Sequence, residues 1–181
     1  MTRERGRPAR GQGMAREDIL AEALALLDAG AGQGLTMRAL ATRLGVTPMS
    51  LYRHVGDQAG LLRALADRVY APVLQPEFDG ADERAQIRAL LTRYHQAVGR
   101  YPQLTLAIFA TPQAFAGVTR EITERLTALL QCITDQPVLW RDILVDHAHG
   151  SGLALAAAPA QFEAMAQQYG LALDQLLDGM S

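Results

Sequence analysis

Residues Leu35 to Val55, LTMRALATRLGVTPMSLYRHV, constrain this chain more than any other stretch. Two short amphipathic segments sit on either side of a glycine. Met37, Leu40, Ala41 and Leu44 recur at helical spacing, and Thr36 precedes them as an N-cap. Gly45 supplies a turn. Thr47 then caps a second segment, and Pro48 takes its first position, where a missing N–H costs nothing. Two short helices joined this tightly form a helix-turn-helix, whose second helix is shaped to enter a DNA major groove.

The second helix reads face by face at about 100° per residue. Leu51 and Val55 point inward. Met49, Ser50 and Arg53 point outward, flanked by Tyr52 and His54. An arginine can fork onto guanine O6 and N7, and a methionine can touch a thymine methyl. A tyrosine hydroxyl and a histidine ring nitrogen suit phosphate oxygens. Thr36 adds a hydroxyl and helix N-terminal amides for a further phosphate. No acid lies on this outer face.

The rest of the chain continues the helical pattern, and no period-two, β-branched run interrupts it. A helix is predicted over roughly Arg16–Ala29, with Ile19, Leu20, Ala23, Leu26 and Leu27 on one stripe. Asp57 caps another, lined by Leu61, Leu62, Leu65 and Val69. Pro72 and Pro76 mark a boundary. Beyond it, helices are predicted from near Asp82, over Ile122–Ile133, from about Val138 to Ala157, and from about Ala160 to Leu177. Pro102 and Pro112 punctuate the stretch between the first two of these. The reading is all-α: a basic arm over 1–14, a helix-turn-helix domain over 15–70, and a helical domain over 71–181.

Charge divides along the same line. Residues 1–70 carry ten arginines and seven acids, whereas residues 71–181 carry seven arginines and twelve acids. The first part can meet a polyanion; the second is suited to stay clear of one. Every basic residue in the chain is arginine, and there is one cysteine. A lone cysteine excludes an internal disulfide framework and fits a reducing cytoplasm. No apolar run is long enough for a membrane span, and the arginine-rich start lacks the apolar stretch of an export signal. The expected location is cytoplasmic, with no membrane partner.

Residues Arg16 to Asp67 resemble the DNA-binding domain of the TetR/AcrR family of bacterial regulators. The resemblance is carried by Leu35-Thr36, Leu40-Ala41, Leu44-Gly45-Val46, Leu51-Tyr52, His54-Val55 and Leu61-Leu62. It implies phosphate contacts for Thr36, Tyr52 and His54. It implies positions at or near bases for Arg38, Pro48, Met49, Ser50 and Arg53. With the cap Thr47, these form the candidate DNA-binding set. A lysine common in the family at the start of the fourth helix is replaced here by Gln58, which puts that phosphate contact in doubt. In the arm, Arg5-Gly6-Arg7-Pro8 resembles an AT-hook core, making Arg5 and Arg7 candidates for a minor groove; a solvated basic tail is the alternative.

The same resemblance implies a C-terminal domain that dimerises and binds a small inducer. The ending Leu171–Gly179 is similar to the tail of the tetracycline-repressor-like branch. A homodimer would set two reading helices about 34 Å apart on a palindromic double-stranded operator. Candidate pocket residues are Tyr94, His95, Phe109, Phe115, Trp140, Ile143, Leu144 and His147, with plain core packing as the alternative for each. Gly150 and Gly152 fit either a close dimer contact or an alanine-rich composition. Asp146, His147 and His149 lack metal-ligand spacing, and Cys132 reads as a small buried apolar residue. No metal, cofactor or catalytic constellation is expected, so an enzyme ranks behind a ligand-released repressor. The remaining competitor is a DNA-binding helical module that answers to a protein partner or to no ligand.

Overall fold

The computed structural model describes residues 15–29, 35–75 and 82–180. Arg5, Arg7 and Pro76 fall outside them. Among the described residues there are nine α-helices and no strand. They are α1 (Arg16–Ala29), α2 (Met37–Leu44), α3 (Pro48–Val55), α4 (Gln58–Tyr70), α5 (Glu83–Arg100), α6 (Pro102–Phe109), α7 (Val118–Leu130), α8 (Pro137–Ala157) and α9 (Phe162–Asp178). Short 3-10 turns cover Ala71–Leu74, Pro112–Ala114 and Pro159–Gln161.

Each helix start foreseen from a cap residue has its cap: Thr36 accepts from the Ala39 N–H, Thr47 from Ser50 and Asp57 from Gly60. Asp82, near which a further start was expected, accepts from Ala85 in the same way. Gly45 closes α2 at φ +67°, a left-handed backbone that a side chain would strain, and its N–H returns to the Ala41 and Thr42 carbonyls. Ile19, Ala23, Leu27, Leu40, Leu51, Leu61 and Leu65 bury between α1 and α4 and hold α2 and α3 at a fixed angle.

Helix α4 belongs to both halves. Its N-terminal leucines pack on α1–α3, while Tyr70 at its end is buried against the helices that follow. The Asp67 carboxylate accepts a 3.0 Å hydrogen bond from the Val118 N–H at the start of α7. Pro72 lies in the 3-10 turn that continues α4 without a break, and Val73 beside it is buried.

Helices α5 and α8 form the longest contact of the second half. Gly152 makes it possible: a Cβ there would stand 2.8 Å from a methyl of Val98 and 3.0 Å from the His95 carbonyl oxygen. Gly152 therefore serves packing within the chain. Gly150 differs, with no atom within 4 Å of the corresponding position. Helix α9 lies against α5 and α8. Arg88 forks onto Asp174 at 2.5 and 3.1 Å, and Arg84 donates to the Leu177 and Met180 carbonyls at the C-terminal end of α9.

The stretch punctuated by Pro102 and Pro112, for which no element was expected either way, contains a helix, α6, with Pro102 in its first turn. One expectation is corrected. Cys132 is exposed, not buried, because α7 ends at Leu130 and the cysteine falls in the turn beyond.

Candidate nucleic-acid interface and the cavity behind it

Helix α3 presents an exposed face of mixed apolar and basic residues. Leu51 and Val55 anchor it in the core, so the remaining residues are turned outward. Met49 is 65% exposed and Tyr52 46%, although both are large and Met49 is apolar. Arg53 and His54 are exposed beside them, as are Thr36, Arg38, Thr47 and Pro48 on the flanks. Ser50 is half-buried, with its hydroxyl 3.1 Å from that of Thr47. Among the described residues, neither Arg38 nor Arg53 has an ion-pair partner, whereas Arg43 is engaged by Glu22 and Arg68 by Glu17. The arginines on the outer face are therefore available to an anion. The Gln58 side-chain amide donates to the Leu35 carbonyl at 3.2 Å. It ties α4 to the residue ahead of α2, an employment that a lysine's point charge would fill differently.

Behind this unit, where α4 meets the second half, lies a small cavity of ≈60 Å³. Tyr70 reaches it from α4 and Tyr94 from α5. Thr105, Ile108 and Phe109 come from α6, Thr119, Ile122 and Thr123 from α7, and Val145 and His149 from α8, with Phe115 at the mouth. The Tyr70 hydroxyl meets Thr105 Oγ1 at 2.8 Å, and the Tyr94 hydroxyl meets His149 Nε2 at 2.6 Å. Burial pushes the Tyr70 phenol up to about 12, against the smaller opposing effect of Thr105. Burial also raises Tyr94 and lowers His149. The wall is thus uncharged at neutral pH.

Of the eight pocket candidates, the structure brings Tyr94, Phe109 and Phe115 to this cavity. His95, Trp140, Ile143, Leu144 and His147 do not line it. The reason is helical phase. Val145 and His149, four residues apart, share the face of α8 that meets the cavity, while Leu144 and His147 lie on the neighbouring face. Leu144 is fully buried in the core, Trp140 packs against that core, and Ile143 is exposed on the outside of α8.

His95 follows Tyr94 and so points about 100° away from it. It is buried, donates to or accepts from Ser151 at 3.0 Å, and stacks on Tyr169 with ring centres 3.7 Å apart. His147 stacks on the same tyrosine at 5.1 Å, and its buried Nε2 has no hydrogen-bond partner among the described residues. Burial, and secondarily His147, lower His95 to about 4.

Sequence reasoning missed Tyr70, Thr105, Ile108, Thr119, Ile122, Thr123, Val145 and His149. His149 was visible as a histidine, and Tyr70 as the aromatic ending α4. The threonines carried no pattern of their own. Among the described residues, no group of three His, Cys, Asp or Glu side chains is placed to hold a metal. Nor is any helix among them long and apolar enough to cross a membrane.

A family profile described as bacterial regulatory proteins, tetR family, matches residues 19–65, which span the core of α1 through most of α4. Residues 19–65 are thus of the TetR type. The TetR-type N-terminal unit is followed by a helical second half, and both halves align with solved structures. One is BioQ of Mycobacterium smegmatis, with TM-score 0.76, 26% identity, and coverage of 92% of this chain and 97% of BioQ. A BioQ structure holding its natural double-stranded DNA operator aligns at TM-score 0.72 and 26% identity, over 92% and 97% of the two chains. A TetR variant from Acinetobacter baumannii AYE in complex with minocycline aligns at TM-score 0.69 and 25% identity, over 92% and 96%. The HTH-type transcriptional repressor DrrR1 of Streptomyces coeruleorubidus is 33% identical over 101 residues, which is 54% of this chain and 37% of that relative. The chain thus spans little more than a third of DrrR1.

Proposed function

We propose that this chain is a transcriptional repressor of the TetR family, not an enzyme, and that it acts in the cytoplasm. It binds a palindromic double-stranded operator as a homodimer and is released by a small molecule. One observation carries the reading. Helix α3 is anchored by Leu51 and Val55 while Met49, Tyr52 and Arg53 stand exposed with no acid among them. Arg38, Pro48, Met49, Ser50 and Arg53 face the bases. Thr36, Tyr52 and His54 grip the phosphates, and Thr47 holds the start of α3 in register. The BioQ relative with its operator supports the choice of ligand.

The second copy would sit on the outer face of α8, where Val138, Leu139 and Ile143 are exposed and Gly150 leaves open space. The inducer would enter the cavity between α4 and α8, as its position beside Tyr70 supports. Helix α4 bears Tyr70 at that end and directly follows α3 at the other. A ligand that fits one placement of α4 better than another would shift the spacing of the two reading helices, and only by that difference in affinity. The test is selection of duplexes from a random pool by the full chain. Enrichment of one palindrome supports the proposal; recovery of no common sequence contradicts it.

A further inference from the structure

We propose that the cavity takes an uncharged, planar aromatic molecule that brings its own hydrogen-bond donor, the chemistry of a phenol, and rejects the matching carboxylate. This rests on the cavity being the inducer site and specifies the class of molecule it admits.

The first argument is charge. Among the described residues, no arginine, aspartate or glutamate lines the cavity. A carboxylate drawn into it would leave water without a countercharge, a loss that one hydrogen bond does not return. The second argument is shape. Phe109 meets His149 edge-on, with ring centres 4.7 Å apart and planes at 88°. Tyr94 meets the same ring at 5.3 Å and 67°. A flat aromatic ring added beside them continues the same edge-to-face packing.

The third argument is the fate of each hydroxyl proton. Thr119 donates to the Ala116 carbonyl at 3.0 Å and Thr123 to the Thr119 carbonyl at 3.0 Å. Thr105 donates to the Tyr101 carbonyl at 3.3 Å, which leaves the Tyr70 hydroxyl to give its own proton to Thr105. Tyr94 and His149 share one proton across their 2.6 Å contact. A hydroxyl has one proton and two lone pairs. The threonine and Tyr70 protons are therefore spent within the protein, and oxygen lone pairs remain on the wall. Lone pairs are complemented by an O–H or N–H from the ligand, and neither an ether nor a carboxylate supplies one. The ≈60 Å³ of free space holds the donor and one edge of a ring, leaving half-exposed Phe109 and Phe115 to cover the remainder.

The test is titration calorimetry of the full chain at neutral pH with naphthol, its methyl ether and naphthoate. Naphthol is expected to bind. The ether, alike in shape but without the proton, is expected to bind about 2- to 10-fold more weakly, the worth of one hydrogen bond. Naphthoate is expected to bind at least about 100-fold more weakly. Thr123→Val should weaken naphthol and leave the ether unchanged. The proposal is overturned if naphthoate matches naphthol, if the ether matches it, or if none of the three binds. A parallel anisotropy assay on the operator complex separates the two readings. The expected ranking without release of DNA upholds the ligand class and removes the inducer role. Release by all three alike overturns the class and keeps that role.

Discussion

Replacing Asp67 with alanine removes the acceptor that holds the first turn of α7 onto α4. Gly117 precedes helix α7 in the capping position and has no side chain to cap it, so Asp67 caps it from another helix. The fit is close. Gly117 sits at φ +61°, and a Cβ there would lie 2.6 Å from the Asp67 carboxylate oxygen. Losing a carboxylate cap from a helix N-terminus costs about 0.5–2 kcal/mol. Asp67 is solvent-exposed, so a value of about 1 kcal/mol is expected. In a chain of this size that lowers Tm by about 2–4 °C. Circular dichroism melts of the full chain read the shift, and amide exchange at Val118 localises it. Asp67→Asn keeps an oxygen acceptor and should lose less. A melt of Asp67→Ala within the error of the parent, with Val118 still protected, would refute the capping role and the rigid joint between α4 and α7.

Acid should weaken the fold through His95. Its folded-state value, about 4, lies below the ordinary 6.5. The unfolded chain therefore binds the proton first, and the stability is complete above pH 6.5 and drains away as pH falls towards 4. At about 1.4 kcal/mol per pH unit the loss approaches roughly 3 kcal/mol. Urea melts across that window should show a slope that His95→Gln reduces; an unchanged slope counts against it. Gly152→Val should destabilise the α5–α8 contact by about 1–3 kcal/mol in the same melts, since the added methyls meet Val98 and the His95 carbonyl. A neutral result would mean that the helices part freely. Tyr52→Phe should weaken binding to all DNA sequences by about tenfold, the worth of a hydrogen bond to a charged phosphate. A change in base preference would instead make Tyr52 a reader.

The N-terminal unit was legible because its signals are local. Thr36, Thr47 and Asp57 cap the helices they precede, Gly45 turns the chain, and the inward leucines follow the helical period. The second half resisted for the opposite reason. Helix α8 carries apolar residues around most of its girth, so sequence spacing could not say whether the stripe of Leu144 and His147 or that of Val145 and His149 meets the cavity. Long-range packing with α5 and α9 decides that. Helix α6 escaped because its Pro102 looks like a breaker in sequence and is a first-turn residue in space. Gly152 had two explanations until Val98 was placed against it.

On the proposed reading, the outer face of α3 reads DNA. Its most direct test is the base preference of the full chain beside that of Arg53→Ala, each measured on the selected duplex and its single-base variants. Arg53→Ala is expected to lose discrimination of about 1–3 kcal/mol at one symmetry-related pair of base positions and to keep it elsewhere. Unchanged affinity and unchanged preference at every position would contradict it.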